Sequence, residues 1–149
     1  MNRLVKCLQP LHIWLVGIFA LSLLLGGVAT VMAKGNRTCA EIGDYECSSA
    51  RVNYNEDTGE FDNTFDDSSG NDGCGNDISV TVTDDTYVEW ESTIGIGAVI
   101  VKGGPSVNVY VYDQEPSDSG LIAPINPNND KPFGLSNLTF CWNPETPGA

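Results

Sequence analysis

Ile78-Ser79-Val80-Thr81-Val82-Thr83, Ala98-Val99-Ile100-Val101 and Val107-Asn108-Val109-Tyr110-Val111-Tyr112 are the stretches that decide the fold of this chain. In the first and third, an aliphatic residue recurs at every second position, the period of a strand whose two faces differ. The second is apolar on both faces, which predicts a central strand covered on each side. Between them, Asp84-Asp85 marks a turn, and alternation resumes over 86–93. There Val88 and Trp90 share one face while Tyr87, Glu89 and Glu91 share the other; burying the glutamates would be costly, so Val88 and Trp90 are expected to point inward. Gly95 and Gly97 flank Ile96 and predict a bulge or tight bend. Lys102-Gly103-Gly104-Pro105 has neither P-loop spacing nor a following helix, and reads as a β-turn with glycine at positive φ.

Outward from this core the pattern weakens. Residues 113–132 are rich in Pro, Asn, Asp and Gly and read as a loop, with Leu121, Ile122 and Ile125 as packing anchors. Leu138-Thr139-Phe140-Cys141-Trp142 closes the domain as a last strand. Upstream, 38–74 is polar, with a short strand expected at 50–54 and a long acidic loop over 60–75. No 3.6-residue apolar period occurs beyond residue 33. Roughly six short strands separated by turn signals predict an all-β fold, an antiparallel β-sandwich or Greek-key-like small domain.

The amino terminus adds a different signal. Arg3 and Lys6 precede a nearly unbroken apolar run over 11–25, then Gly26-Gly27 and Val31-Met32-Ala33 follow, the order of a secretory signal. The expected organisation is a signal helix over 1–33 and one secreted domain over 34–149. That domain divides into an acidic, loop-rich part (34–76), a strand-rich core (77–142) and a flexible tail (143–149). The alternative is an uncleaved membrane anchor, since the apolar stretch is long enough to span a bilayer.

The whole chain carries a formal net charge of −13. All 20 acidic residues lie beyond Ala33, with only Lys34, Arg37, Arg51, Lys102 and Lys131 against them. Such a surface repels phosphate backbones and excludes nucleic acid as a partner class; the membrane enters only through the signal segment if it is uncleaved. Cys39, Cys47, Cys74 and Cys141 remain after the leader, an even count that in an exported domain predicts two disulfides, with three pairings open. Zinc is disfavoured by the wide cysteine spacing and by the single histidine, His12, which lies in the leader.

From Trp90 to Cys141 the chain resembles a family of secreted bacterial β-domains of unknown activity. The matching residues are Trp90, Ile94-Gly95, Ala98 to Pro105, Asn108 to Asp113, Ser117-Asp118, Gly120-Leu121, Pro124, Asn126-Pro127, Asn129, Gly134 to Ser136 and Phe140-Cys141. The resemblance implies a β fold and an extracellular location, and supplies no catalytic residue.

Chemistry must therefore come from the residues themselves. With histidine confined to the leader, Ser/His and Cys/His pairings cannot form in the domain. A carboxylate pair such as Glu89 and Glu91 could in principle cleave glycosides, but solvated glutamates are the simpler reading. No cofactor is expected. Calcium is the alternative, with Asp62, Asp66, Asp67, Asp72 and Asp77 offering hard oxygen ligands in a region that lacks the EF-hand register. Asp113, Glu115 and Asp118 form a second acidic group. If Val107, Val109 and Val111 face the core, Tyr110 and Tyr112 lie outward, as a stacking platform for sugar or as cross-strand packing on a second covered face. Asn36-Arg37-Thr38 and Asn137-Leu138-Thr139 match the glycosylation sequon by pattern alone. Taken together, these features predict a secreted non-enzymatic module in extracellular structure or surface interaction, with an extracellular polysaccharide or surface protein as partner; a carbohydrate-binding module is the alternative.

Overall fold

The computed structural model describes residues 29–144. Residues 1–28 of the expected signal helix and residues 145–149 of the expected tail lie outside them. Ten strands and one short helix follow in chain order: β1 (Ala29–Lys34), α1 (Cys39–Ile42), β2 (Cys47–Ser48), β3 (Val52–Asn55), β4 (Glu60–Phe61), β5 (Ile78–Thr83), β6 (Tyr87–Gly103), β7 (Ser106–Leu121), β8 (Ile125–Asn126), β9 (Lys131–Pro132) and β10 (Asn137–Trp142). The main sheet runs β1-β7-β6-β10-β3-β4, with β2 also on β10 and β5 also on β6; every pairing is antiparallel. The last strand thus inserts between β6 and β3, so the chain closes by a long-range crossover. The fold is all-β, as expected.

The long β6–β7 hairpin organises everything else. Residues 98–103 of β6 lie between β10 and the start of β7, while residues 87–92 lie between β5 and the end of β7. A straight strand rising about 3.3 Å per residue would hold Trp90 about 30 Å from Val99. Phe140 pairs with Val99, yet the Trp90 and Phe140 rings are 5.7 Å apart between centroids. The hairpin is therefore folded back on itself, and its two ends sandwich the core.

The fold-back occurs where register breaks, between Glu91 and Ala98. A Cβ on Gly95 would sit 2.5 Å from the Gln114 carbonyl oxygen, and one on Gly97 would collide with the Tyr45 ring. Only glycine lets backbone and ring approach so closely. The bend expected around Ile96 is present. At the other end of the hairpin, Gly103 pairs with Ser106 across Gly104-Pro105, and Gly104 takes φ 58°. Positive φ at the first loop position is what a two-residue hairpin turn of the II′ kind requires.

Burial follows the alternation. Val88 and Trp90 are buried while Glu89 and Glu91 are exposed, and Ala98 to Val101 are buried on both faces. The larger core joins Trp90, Phe140, Trp142, Val52, Leu121, Leu135 and Leu138. A smaller one lies on the opposite face of the sheet, around Cys39, Ala98, Ile100, Val107, Val109 and Cys141.

Several expectations need correction. The valines of β7 face the smaller core while Tyr110 and Tyr112 pack against the larger one, so of the two expected readings the tyrosines take cross-strand packing on a second covered face and not an outward stacking platform. Both faces of β7 are covered, so neither set is a free outer row. The tyrosines can turn inward because their hydroxyls find partners there. Residues 113–121, expected as loop, continue β7, and β8–β9 form a small hairpin inside the remainder. Of the three anchors, Leu121 is buried and Ile122 half-buried, but Ile125 is exposed and Ala123 is buried instead. The early strand sits at Val52–Asn55 rather than 50–54. Ala29–Lys34, which includes the expected cleavage site at Ala33, forms β1 against β7. Asn143, read as the start of a tail, is half-buried, and its side-chain oxygen accepts the Glu46 N–H at 3.0 Å.

Candidate functional site

The four cysteines pair as Cys39–Cys141 and Cys47–Cys74, with sulfur–sulfur distances of 2.03 and 1.95 Å. All four are buried. Both bridges act on the acidic N-terminal part. The first ties α1 to the last strand; the second ties β2 to the end of the acidic loop.

That loop has little strand of its own, and its acids serve its backbone. Asp62 accepts the Asn53 N–H at 2.9 Å and the Asn53 amide at 2.7 Å. These bonds, the side-chain one foremost, hold the Asp62 carboxyl below its usual range. Asp66 accepts the Thr64 hydroxyl, and Asp67 accepts the Ser69 N–H. The Asp67 contact is turn chemistry, in which a short carboxylate stands in for a backbone acceptor two residues away. Asp72 and Asp77 are exposed; the Asp77 N–H donates to the Thr93 hydroxyl. Among the described residues no three His, Cys, Asp or Glu side chains come together as a group that could hold a metal ion. The five calcium candidates are thus spread along the loop.

The two tyrosines of β7 are engaged as well. Tyr110 donates its hydroxyl to the Ile122 carbonyl at 3.1 Å and accepts the Ile122 N–H at 3.0 Å. Tyr112 donates to Asp118 at 2.8 Å, and its ring meets Trp90 edge-on at 5.4 Å. Burial first, and then the Asp118 hydrogen bond, raise the Tyr112 phenol well above its ordinary range. Both side chains brace the returning half of β7, and they form no stacking platform. Of the second acidic group, Asp118 takes this bracing role, while Asp113 and Glu115 are exposed.

Among the described residues, concavities of three kinds stand out. The first, about 590 Å³, is an open cleft along β3, lined by Asn53, Tyr54, Asn55, Glu56, Asp57 and Asp62 with Leu135 and Ser136. At its floor Tyr54 donates its hydroxyl to Asp85 at 2.7 Å, and that bond, with burial, pushes its pKa up to about 12. The second, about 290 Å³, lies between β1, β7 and α1 and is lined by Val31, Ala33, Ile42, Val109 and Val111, with Arg37 and Glu41 on the rim. The third, about 460 Å³, runs beside α1 and includes Arg37, Arg51 and Thr139. Sequence reasoning missed the β3 cleft, because its residues come together only when β10 docks beside β3 and brings Ser136 close. The Asn/Asp/Glu density over 53–62 was the one available signal.

Compared with known proteins, the chain matches no family model, no curated protein and no solved structure.

Proposed function

We propose that this protein is exported and acts outside the cytoplasm as a non-catalytic, disulfide-stapled interaction module. The single observation that carries the reading is the pair of buried disulfides, which suits an oxidising, extracellular-type environment. They hold a loop-rich acidic surface rigidly against a β core, the arrangement of a domain that presents loops on a scaffold. The partner is an extracellular polysaccharide or a surface protein. Recovery of the protein from the exported fraction, without reactive thiol at the four cysteines, is the expected result. Substrate turnover that disappears on changing one carboxylate would defeat the non-catalytic part.

The β3 cleft favours a carbohydrate ligand as the second reading. Amides, carboxylates and a serine along one trough are the groups that hydrogen-bond sugar hydroxyls. A glycan array with wild type and Asn55→Ala tests it; binding that ignores the substitution, or no binding at all, ends that reading. The module needs no metal in this account. Millimolar Ca²⁺ is expected to leave its melting temperature unchanged, and an upward shift would restore the calcium alternative for the acidic loop.

A further inference from the structure

We propose that the exported protein keeps β1: leader peptidase hydrolyses the Ala29–Thr30 bond, and Thr30 to Lys34 stay as the outermost strand of the sheet. The inference rests on the export reading above. Water is the co-reactant, and its addition across that amide leaves a carboxylate on Ala29 and a new amino terminus on Thr30.

Leader peptidases read small or short residues at the third and first positions before the cut. Within residues 1–33, two alanine-ended triplets satisfy that rule, Val31-Met32-Ala33 and Gly27-Val28-Ala29. After the apolar run ending at Leu25, the spacer is eight residues to Ala33 but four to Ala29. Both are readable by sequence alone, and the structure separates them.

Ala29–Lys34 pairs antiparallel with β7 through six consecutive partners, from Ala29 opposite Val111 to Lys34 opposite Ser106. The Gly35 N–H then donates to the Pro105 carbonyl at 3.0 Å, so the contact with β7 runs on past the strand end. Ala33 packs with Ile42 and Val111 against the smaller core, and Val31 completes the wall of the apolar groove beside Val109. A cut after Ala33 would remove five of the six ladder positions and leave Lys34 alone.

What that cut would expose is unprotected. From Ser106 to Tyr112, β7 carries no charge and no proline, and its ladder with β6 runs without a register break up to Val111. A flat, uncharged edge of this kind is a template for uncontrolled strand pairing, which soluble proteins block with short strands or charged residues. Cutting after Ala29 keeps a short covering strand that ends in Lys34. The four residues between the two sites are therefore part of the domain's architecture, and only the segment before them is leader.

The test uses the full chain with its own leader, expressed in an exporting bacterial host, with intact mass and amino-terminal sequencing of the exported fraction. The expected amino terminus is Thr30, giving a product four residues longer than one cut after Ala33. Ala29→Leu is expected to remove that terminus, and Ala33→Leu to leave it in place. A wild-type terminus at Lys34 overturns the inference while leaving export intact, and so does a chain that retains its leader in the membrane. Cytoplasmic full-length protein with Cys39, Cys47, Cys74 and Cys141 all free as thiols overturns the export reading itself, a result no Lys34 terminus would produce.

Discussion

The β6–β7 hairpin and the acidic segment before β5 are stabilised in different ways. In the hairpin, β6 is bonded on both sides along most of its length, and alternate residues fill a core on each face. In the acidic segment, β2 and β4 are two residues each, β3 is four, and α1 is one turn. Ladders cannot satisfy all of that backbone, so Asp62 and Asp67 accept N–H groups there and two disulfides fix its position. A line of packed rings joins the regions: edge-on contacts run from Tyr112 to Trp90, Trp90 to Phe140, Phe140 to Phe65 and Phe65 to Phe61, and a tilted one from Phe61 to Tyr54. Acidity here is thus partly structural, since carboxylates do the work that neighbouring strands do elsewhere.

The sharpest way to break this contrast is to remove the cross-links. Cys39–Cys141 closes a sequence separation of 102 and Cys47–Cys74 one of 27. By loop-closure entropy the first contributes about 4.7 kcal/mol and the second about 3.5 kcal/mol. Replacing each pair by alanine is expected to lower unfolding free energy in that order, measured by denaturant titration. Only the Cys47/Cys74 replacement should leave hydrogen-exchange protection in β6 near wild type while 47–74 loses it. Equal loss of protection in both regions would show that the two are one cooperative unit.

Next in size is the ring that both regions share. Phe140 touches Trp90 from the hairpin and Phe65 from the acidic loop, and it is fully buried. Phe140→Ala is expected to cost about 3–5 kcal/mol through lost burial and the cavity left behind. Phe61→Ala, at a half-buried position, should cost clearly less. If the two losses were similar by thermal or chemical unfolding, the line of rings would not converge on Phe140.

The same contrast explains what was legible in the sequence. Residues 78–83, 87–92, 98–103 and 107–112 sit in repetitive ladders, where side-chain period reports burial directly. Residues 113–121 looked like loop because that half of β7 is mostly exposed and bears polar residues, with irregularities at Gln114 (φ 57°) and Gly120 (φ 77°). The facing of Tyr110 and Tyr112 was unreadable, because valine and tyrosine both suit a covered face and the partners Ile122 and Asp118 come from the returning half of the same strand. α1 is too short to show a period. β1 was hidden within an apolar leader pattern, and the disulfide pairing and the β3 cleft depend on contacts between distant segments.

A smaller effect tests the floor of the cleft, where Tyr54 of the acidic segment meets Asp85 in the turn that leads from β5 into β6. The Tyr54 phenol has a folded pKa of about 12 against an ordinary 10, so the folded state holds the proton more tightly. Its contribution is fully present below pH 10 and is lost as pH rises through 12. Two pKa units, discounted for solvent screening in the open cleft, correspond to about 1–2 kcal/mol. Tyr112 shifts in the same direction and adds to the alkaline loss. Tyr54→Phe should flatten the stability profile between pH 10 and 12 relative to wild type. An unchanged slope would place the alkaline sensitivity elsewhere.

The smallest effect separates turn geometry from that hydrogen bond. Asp84 and Asp85 both adopt positive φ, 53° and 50°, and the Thr86 N–H donates to the Thr83 carbonyl at 3.1 Å across them. Two positive φ values under such a bond define the I′ turn, for which Asn-Gly and Asp-Gly are preferred. Asp85→Gly relieves the less favoured conformation, a gain of about 0.5–1 kcal/mol, but removes the acceptor of Tyr54 and strands its hydroxyl, a loss of about 1–3 kcal/mol. The net result is expected to be destabilising by about 1 kcal/mol. In a Tyr54→Phe background the hydroxyl is gone, and the same substitution should turn stabilising. The change of sign in that double-mutant cycle, read by denaturant unfolding, is the test. If Asp85→Gly behaved alike in both backgrounds, Asp85 would serve the turn alone, and the link between the β5–β6 turn and the cleft would carry no energy.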